Sequence, residues 1–272
     1  MFKIAFKVAY IGTGYHGFQR QPNLPTVEGE LLRAFKKAGI SDSPENSDYS
    51  IAGRTDRGVS AVGNVVSLKT KSEATINQIN YYLPPNIRII GHAIVPNGFK
   101  PRYAKQRHYR YILDKTFCHG NSLNMGLMKQ AAKQMEGKHN YLNFSKRSER
   151  APERRVYSVD LSEAGDVVVF DVVGESFLWN MVRKMVKVLI KIGQEELTLN
   201  DLEALFDPDI PASIKPVPSE GLILMDVDYD GIEFTCDGYA INNFLKTLKQ
   251  EYAYKKTILD VEKEIIDVLK GF

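Results

Sequence analysis

Apolar and polar positions alternate from the first residues of the chain. Phe2, Ile4, Phe6 and Val8 fall on one face of residues 1–10, and Lys3, Ala5 and Lys7 on the other. This period of two predicts a half-buried strand. It is also too broken by lysines for a signal peptide. The period changes after Thr26, where Val27, Leu31, Ala34 and Ala38 recur at helical spacing, with Thr26 as N-cap and Gly39 as stop. Short strands are expected at 49–52 and 62–68. Ile76, Ile79 and Leu83 mark a second helix that Pro84-Pro85 ends, and 88–95 reads as a strand.

The second half repeats this order. His108, Arg110 and Ile112 alternate with Tyr109, Tyr111 and Leu113 in a strand over 106–115. A helix over 124–135 stops at Gly137. Strands at 156–162 and 167–173 are joined by Ala164-Gly165-Asp166. A helix is expected over 177–192, a short one over 199–206, and a last strand over 222–229. Each half therefore reads as a βαββαβ unit, the ferredoxin-like pattern. The expected fold class is α+β: two ferredoxin-like units with mainly antiparallel sheets and a cleft between them. The expected domains are 1–104, 105–230 and a helical extension, 231–272. In the extension Ile258, Val261, Ile265, Val268 and Leu269 outline one apolar helix face.

At 272 residues the chain is long enough to bury a sizeable core. No run reaches the roughly 18 uncharged apolar residues of a membrane helix. Cys118 and Cys236 are far apart, so neither a disulfide framework nor a thiolate zinc site follows, and a cytoplasmic location is expected. His16, His92, His108, His119 and His139 lack metal-ligand spacing, so no metal is expected. The net charge of +3 conceals an asymmetry. Residues 100–155 hold fourteen Lys or Arg against four Asp or Glu, whereas 201–272 hold seven against fifteen. A basic middle with Tyr103, Tyr109, Tyr111 and Tyr157 among its charges suits a nucleic acid, whose bases stack on aromatic rings. The plain alternative is an ordinary solvated face.

The strongest candidate for chemistry is Gly53-Arg54-Thr55-Asp56-Arg57-Gly58-Val59-Ser60-Ala61. It sets one carboxylate, Asp56, between two arginines on a glycine-bounded loop between strands. Such a carboxylate can serve as nucleophile or base. By spacing alone a β-turn aspartate is the plainer reading. Gly12-Thr13-Gly14-Tyr15-His16-Gly17 has the letters of a dinucleotide-binding loop. Pro22 and Pro25 delay the next helix, so the phosphate-binding geometry is missing.

Gly-Arg-Thr-Asp-x-Gly-Val resembles the active-site motif of tRNA pseudouridine synthases of the TruA type. The resemblance implies that Asp56 is catalytic, with Arg54 beside it. Four further stretches are similar to that family. The segment from Gly12 through Gln19-Arg20-Gln21 resembles its N-terminal signature and implies RNA contacts by Gln19 and Arg20, against a plain solvated loop. Arg107-His108-Tyr109-Arg110-Tyr111 implies stacking of Tyr109 on the target base. Met181-Val182-Arg183 implies an arginine turned toward Asp56, while the neighbouring Trp179 reads as packing. Glu220-Gly221-Leu222-Ile223-Leu224 is similar to the family's last strand and implies Leu224 as an apolar wall. Ile11 and Ser60 depart from residues common in the family, Asp and His.

The implied function is isomerisation of uridine in the tRNA anticodon stem-loop, at positions 38 to 40, by a homodimer without cofactor. The alternatives are a non-catalytic RNA-binding protein of two RRM-like units and a pseudouridine synthase with another RNA target. The RNP1 pattern of the former is not found in the sequence.

Overall fold

The computed structural model of the chain describes residues 2–71, 75–118, 122–146, 149 and 151–272. His119 and Arg147 lie outside them. The first half contains β1 (Phe2–Tyr10), α1 (Val27–Lys37), β2 (Ser50–Ile51), β3 (Ser60–Thr70), α2 (Ile76–Tyr81) and β4 (Ile87–Val95). The second contains β5 (Gln106–Asp114), α3 (Met125–Gln134), β6 (Gly137–Asn140), β7 (Glu153–Ala164), β8 (Val167–Gly174), α4 (Met181–Gly193), α5 (Leu199–Leu205) and β9 (Leu222–Asp228). The chain ends in β10 (Thr235–Cys236) and α6 (Gly238–Leu269). The protein is mixed α+β.

Two sheets were expected from the repeated pattern, but the strands form one. Its order is β10-β4-β1-β3-β9-β5-β8-β7-β6, with β2 beside β3. The far edge of β3 is shared, carrying β2 at Val66–Ser67 and β9 at Ser60–Ala61. The β3–β9 contact is parallel and joins the halves, while the other described pairings are antiparallel. Ser60 directly follows the Asp56 loop, so the junction of the halves and the candidate chemistry coincide.

Two apolar cores form, one per half. They interlock: Val59 packs in the second core, and Leu224, Val227 and Tyr229 pack in the first. The first strand differs from its expectation. Flanked by β3 and β4, β1 is buried on both faces, and Lys3 is only 1% exposed. Burying an ammonium is costly unless it is paired. Lys3 Nζ accordingly donates to Asp48 Oδ2 at 2.6 Å. The α4 helix begins at Met181, four residues later than its periodicity predicts, leaving Phe177–Asn180 as a loop.

The apolar face predicted in the extension belongs to the much longer α6. Its root is buried through Ala240 and Phe244, and residues 252–272 are exposed throughout. No described helix is long and apolar enough to cross a membrane.

Candidate active site

Asp56 lies in a cleft of about 660 Å³, lined from both halves by Gly53, Arg54, Arg107, Tyr109, Trp179 and Arg183 among others. That volume is in the range that holds a small-molecule-sized group. The carboxylate is held from the head of α4. Trp179 Nε1 donates to Asp56 Oδ1 at 3.0 Å. Arg183 Nη1 lies 3.6 Å from Oδ2, an ion pair beyond hydrogen-bond length. Arg183 is itself fixed, donating from Nε to the Val217 carbonyl and from Nη1 to Asn180 Oδ1, both at 2.8 Å. The resemblance to known synthases thus anticipated the Arg183 contact. Trp179, read as packing, is instead half exposed and bonded to Asp56, with the Lys146 ammonium 4.2 Å from its ring centre.

The loop carrying Asp56 is anchored from below. The Tyr10 hydroxyl and Thr55 Oγ1 are 2.7 Å apart in the interior. Asn64 Nδ2 donates to Tyr10 Oη at 3.2 Å and to the Gly53 carbonyl at 3.0 Å. From the side, Phe18 N donates to the Thr55 carbonyl at 3.0 Å, so the Gly12–Gln21 segment braces the loop. Gly12 must be glycine, since a Cβ there would sit 2.1 Å from the Val59 carbonyl oxygen. Ser60, one departure from the family pattern, accepts the Gly12 N–H through Oγ at 3.0 Å. At Ile11, the other departure, the backbone N–H is satisfied by the Asn86 carbonyl at 3.0 Å.

Tyr109 stands where the two cores meet, packing against both. Its ring is edge-on to Phe177, 5.3 Å between centres. Burial pushes its hydroxyl up to about 12, with the Asp56 charge adding to the rise and Arg107 opposing it. Sequence reasoning did not single out Arg107, which is buried in β5. Its Nη1 donates to the Glu175 carbonyl at 2.7 Å, and Nη2 donates to the Ala52 and Arg102 carbonyls at 3.3 and 2.8 Å. It ties together backbone from both halves at the cleft. Its sequence signal was its place at the head of the Arg107–Tyr111 motif.

Other expected residues are more scattered. Arg54 and Gln19 are exposed on the cleft wall. Arg20 is exposed outside the lining, its N–H bonded to Glu28 Oε2 at 2.6 Å. Leu224 is fully buried behind Gly53, and the β9 residue that lines the cleft is Leu222. Alternation does not separate the two, which share one face of β9: Leu224 is paired to Tyr109 in the middle of the sheet and its side chain completes the first core, whereas Leu222 packs in the second.

The basic middle is also less free than its charge suggests. Lys100, Lys105, Arg110, Lys115, Lys133 and Lys138 pair with carboxylates. Arg102 and Lys146 rest on aromatic rings instead, Tyr103 and Trp179. Among the described residues no cluster of three His, Cys, Asp or Glu could hold a metal ion.

A two-sided cleft that brings a carboxylate together with arginines and aromatic rings has the make-up of an enzyme active site. The family profile described as tRNA pseudouridine synthase matches residues 131–230. A Methanothermobacter thermautotrophicus protein named tRNA pseudouridine synthase A is 47% identical over 271 residues, spanning 99% of this chain and 97% of its own length. One of the same name from Methanosphaera stadtmanae is 44% identical over 273 residues, spanning 99% of this chain and 100% of its own. A third, from Thermococcus sibiricus, is 39% identical over 268 residues, spanning 95% of this chain and 97% of its own. The chain belongs to the tRNA pseudouridine synthase family. It is thus an isomerase, and the non-catalytic RNA-binding alternative falls away.

Proposed function

We propose that this enzyme isomerises uridine to pseudouridine in the anticodon stem-loop of tRNA, with Asp56 as its essential chemical group. The observation that carries this reading is the convergence of Trp179 and Arg183 on one carboxylate, in a cleft that Tyr109 also lines, at the junction of the halves. In the reaction the bond from uracil N1 to ribose C1′ breaks and a bond from C5 to C1′ forms. The C5 proton is lost and N1 gains one. Asp56 supplies the basic, nucleophilic oxygen. The target leaves its stack to enter the cleft and lies on Tyr109. Arg54 and Gln19 on the wall, with Arg20 beyond it, contact the flanking backbone. Leu224 acts only as support behind Gly53.

The strand orders β4-β1-β3-β2 and β9-β5-β8-β7 support reading the halves, residues 1–104 and 105–230, as ferredoxin-like units. We also infer a cytoplasmic homodimer. Tyr254, Ile258, Val261, Ile265, Val268 and Phe272 are exposed at spacings of four and three along the extension, the periodicity of a two-helix seam. A contiguous row of apolar side chains left facing water marks an interaction surface, which favours a second copy as its cover.

The test is to treat tRNA transcripts with the purified protein and map pseudouridine. Product confined to the anticodon stem-loop is expected, absent with Asp56→Asn, a change that removes the charge and keeps the shape. Product elsewhere assigns another RNA target, and activity in the Asn variant removes Asp56 from the chemistry.

A further inference from the structure

The two oxygens of Asp56 are not equivalent. Oδ1 accepts the Trp179 indole N–H at 3.0 Å, whereas Oδ2 faces Arg183 at 3.6 Å, close enough for charge but not for a hydrogen bond. A carboxylate turns readily about its last torsion, which is broad and roughly two-fold. One short N–H donor on one oxygen breaks that symmetry and fixes which oxygen is presented.

Several observations mark Trp179 as placed for this task. It is the chain's one tryptophan, yet it is 50% exposed, so it does little of the apolar burial for which the residue is costly to spare. Its backbone is pinned, the carbonyl accepting from Ser145 Oγ at 3.3 Å. The next residue, Asn180, has φ of 62° and bonds Arg183 through its side chain. Both groups that face Asp56 therefore come from one turn at the head of α4. Lys146 lies over the indole ring, further setting its plane.

We propose that Trp179 is a positioning residue: its indole N–H holds Asp56 Oδ1 and so presents Oδ2, beside Arg183, as the reactive oxygen. This rests on the reading of Asp56 as the essential group. The experiment compares Trp179→Phe, which keeps a ring but removes the N–H, with Trp179→His, which restores a ring N–H, alongside Asp56→Asn. Turnover on tRNA, KM and tRNA affinity are measured for each.

Loss of one hydrogen bond to a charged group should lower kcat of the Phe variant by about ten- to a hundredfold. KM and tRNA affinity should stay within about twofold, and the His variant should regain part of kcat. Undiminished kcat in Phe, a loss that falls on KM, or equal losses in Phe and His overturn the assignment. If Asn is inactive while Phe is unimpaired, only the role of Trp179 fails. An active Asn variant overturns the reading of Asp56 itself.

Discussion

Tyr10 and Thr55 share a buried hydrogen bond of 2.7 Å. It links the end of the central strand β1 to the residue directly before Asp56. Replacing Thr55 by Val keeps the volume and removes the hydroxyl, leaving Tyr10 with Asn64 alone. Stability should fall by about 1 kcal/mol in denaturant titration. Turnover should fall by roughly tenfold, as the loop loses its anchor. Unchanged turnover would mean that the Phe18 and Asn64 contacts hold the loop by themselves.

Arg183→Lys keeps the charge but loses the planar fork that reaches Val217 and Asn180 together. The lysine will settle less definitely beside Asp56. Turnover should drop by about tenfold or more without reaching the level of Asp56→Asn. Release of tritium from uracil labelled at C5 gives the comparison.

Tyr109→Phe retains the stacking face, worth roughly 1–3 kcal/mol per base, and should bind tRNA well, whereas Tyr109→Ala should not. The hydroxyl also predicts an alkaline effect. Burial pushes Tyr109 and Tyr111 from 10.0 up to about 12, so the folded protein keeps protons that the unfolded chain releases. Stability from these groups is complete below pH 10 and is lost as pH rises toward about 12. Denaturant midpoints across that window should fall less steeply for Tyr109→Phe than for the parent protein.

Arg107→Met strips three backbone carbonyls of their donor, from residues on both sides of the cleft. Buried acceptors left unpaired make this a cost of about 3 kcal/mol. The melting temperature should fall clearly, and turnover with it. A variant as stable as the parent would mean that Arg107 is not a tie between the halves.

Among the basic residues, Arg102 and Lys146 are expected to matter more to tRNA than those already paired with carboxylates. Changing both to Gln should weaken tRNA binding. The slope of log affinity against log salt should flatten by about 0.7–0.9 per lost phosphate contact. The same change at Lys133 and Lys138, which are exposed and paired, should do less.

Much of the element order was legible in the sequence because local periodicity and caps follow from short-range physics. Thr26 caps α1 by accepting from Gly29 N, and Asn124 caps α3 by accepting from Leu127 N, as their positions before apolar runs suggest. Asp56 was legible too, though only through its motif, since its spacing alone reads as a turn. What the sequence determined by itself was therefore most of the strands and helices, though not the short β6 and β10, and the carboxylate on its loop.

Tertiary structure decided the rest. Burial of β1 on both faces, and with it the Lys3–Asp48 pair, depends on two neighbouring strands that are distant in sequence. The merging of two sheets into one rests on four residues at the β3–β9 contact. Leu224 turned from cleft wall to core, and Trp179 from packing to a donor on Asp56, because side-chain direction is set by which surfaces meet. Alternation along a strand tells two faces apart but does not say what lies against either one. Only the packing of the two halves supplies that, and it is what brings Asp56, Tyr109 and Arg183 to one place.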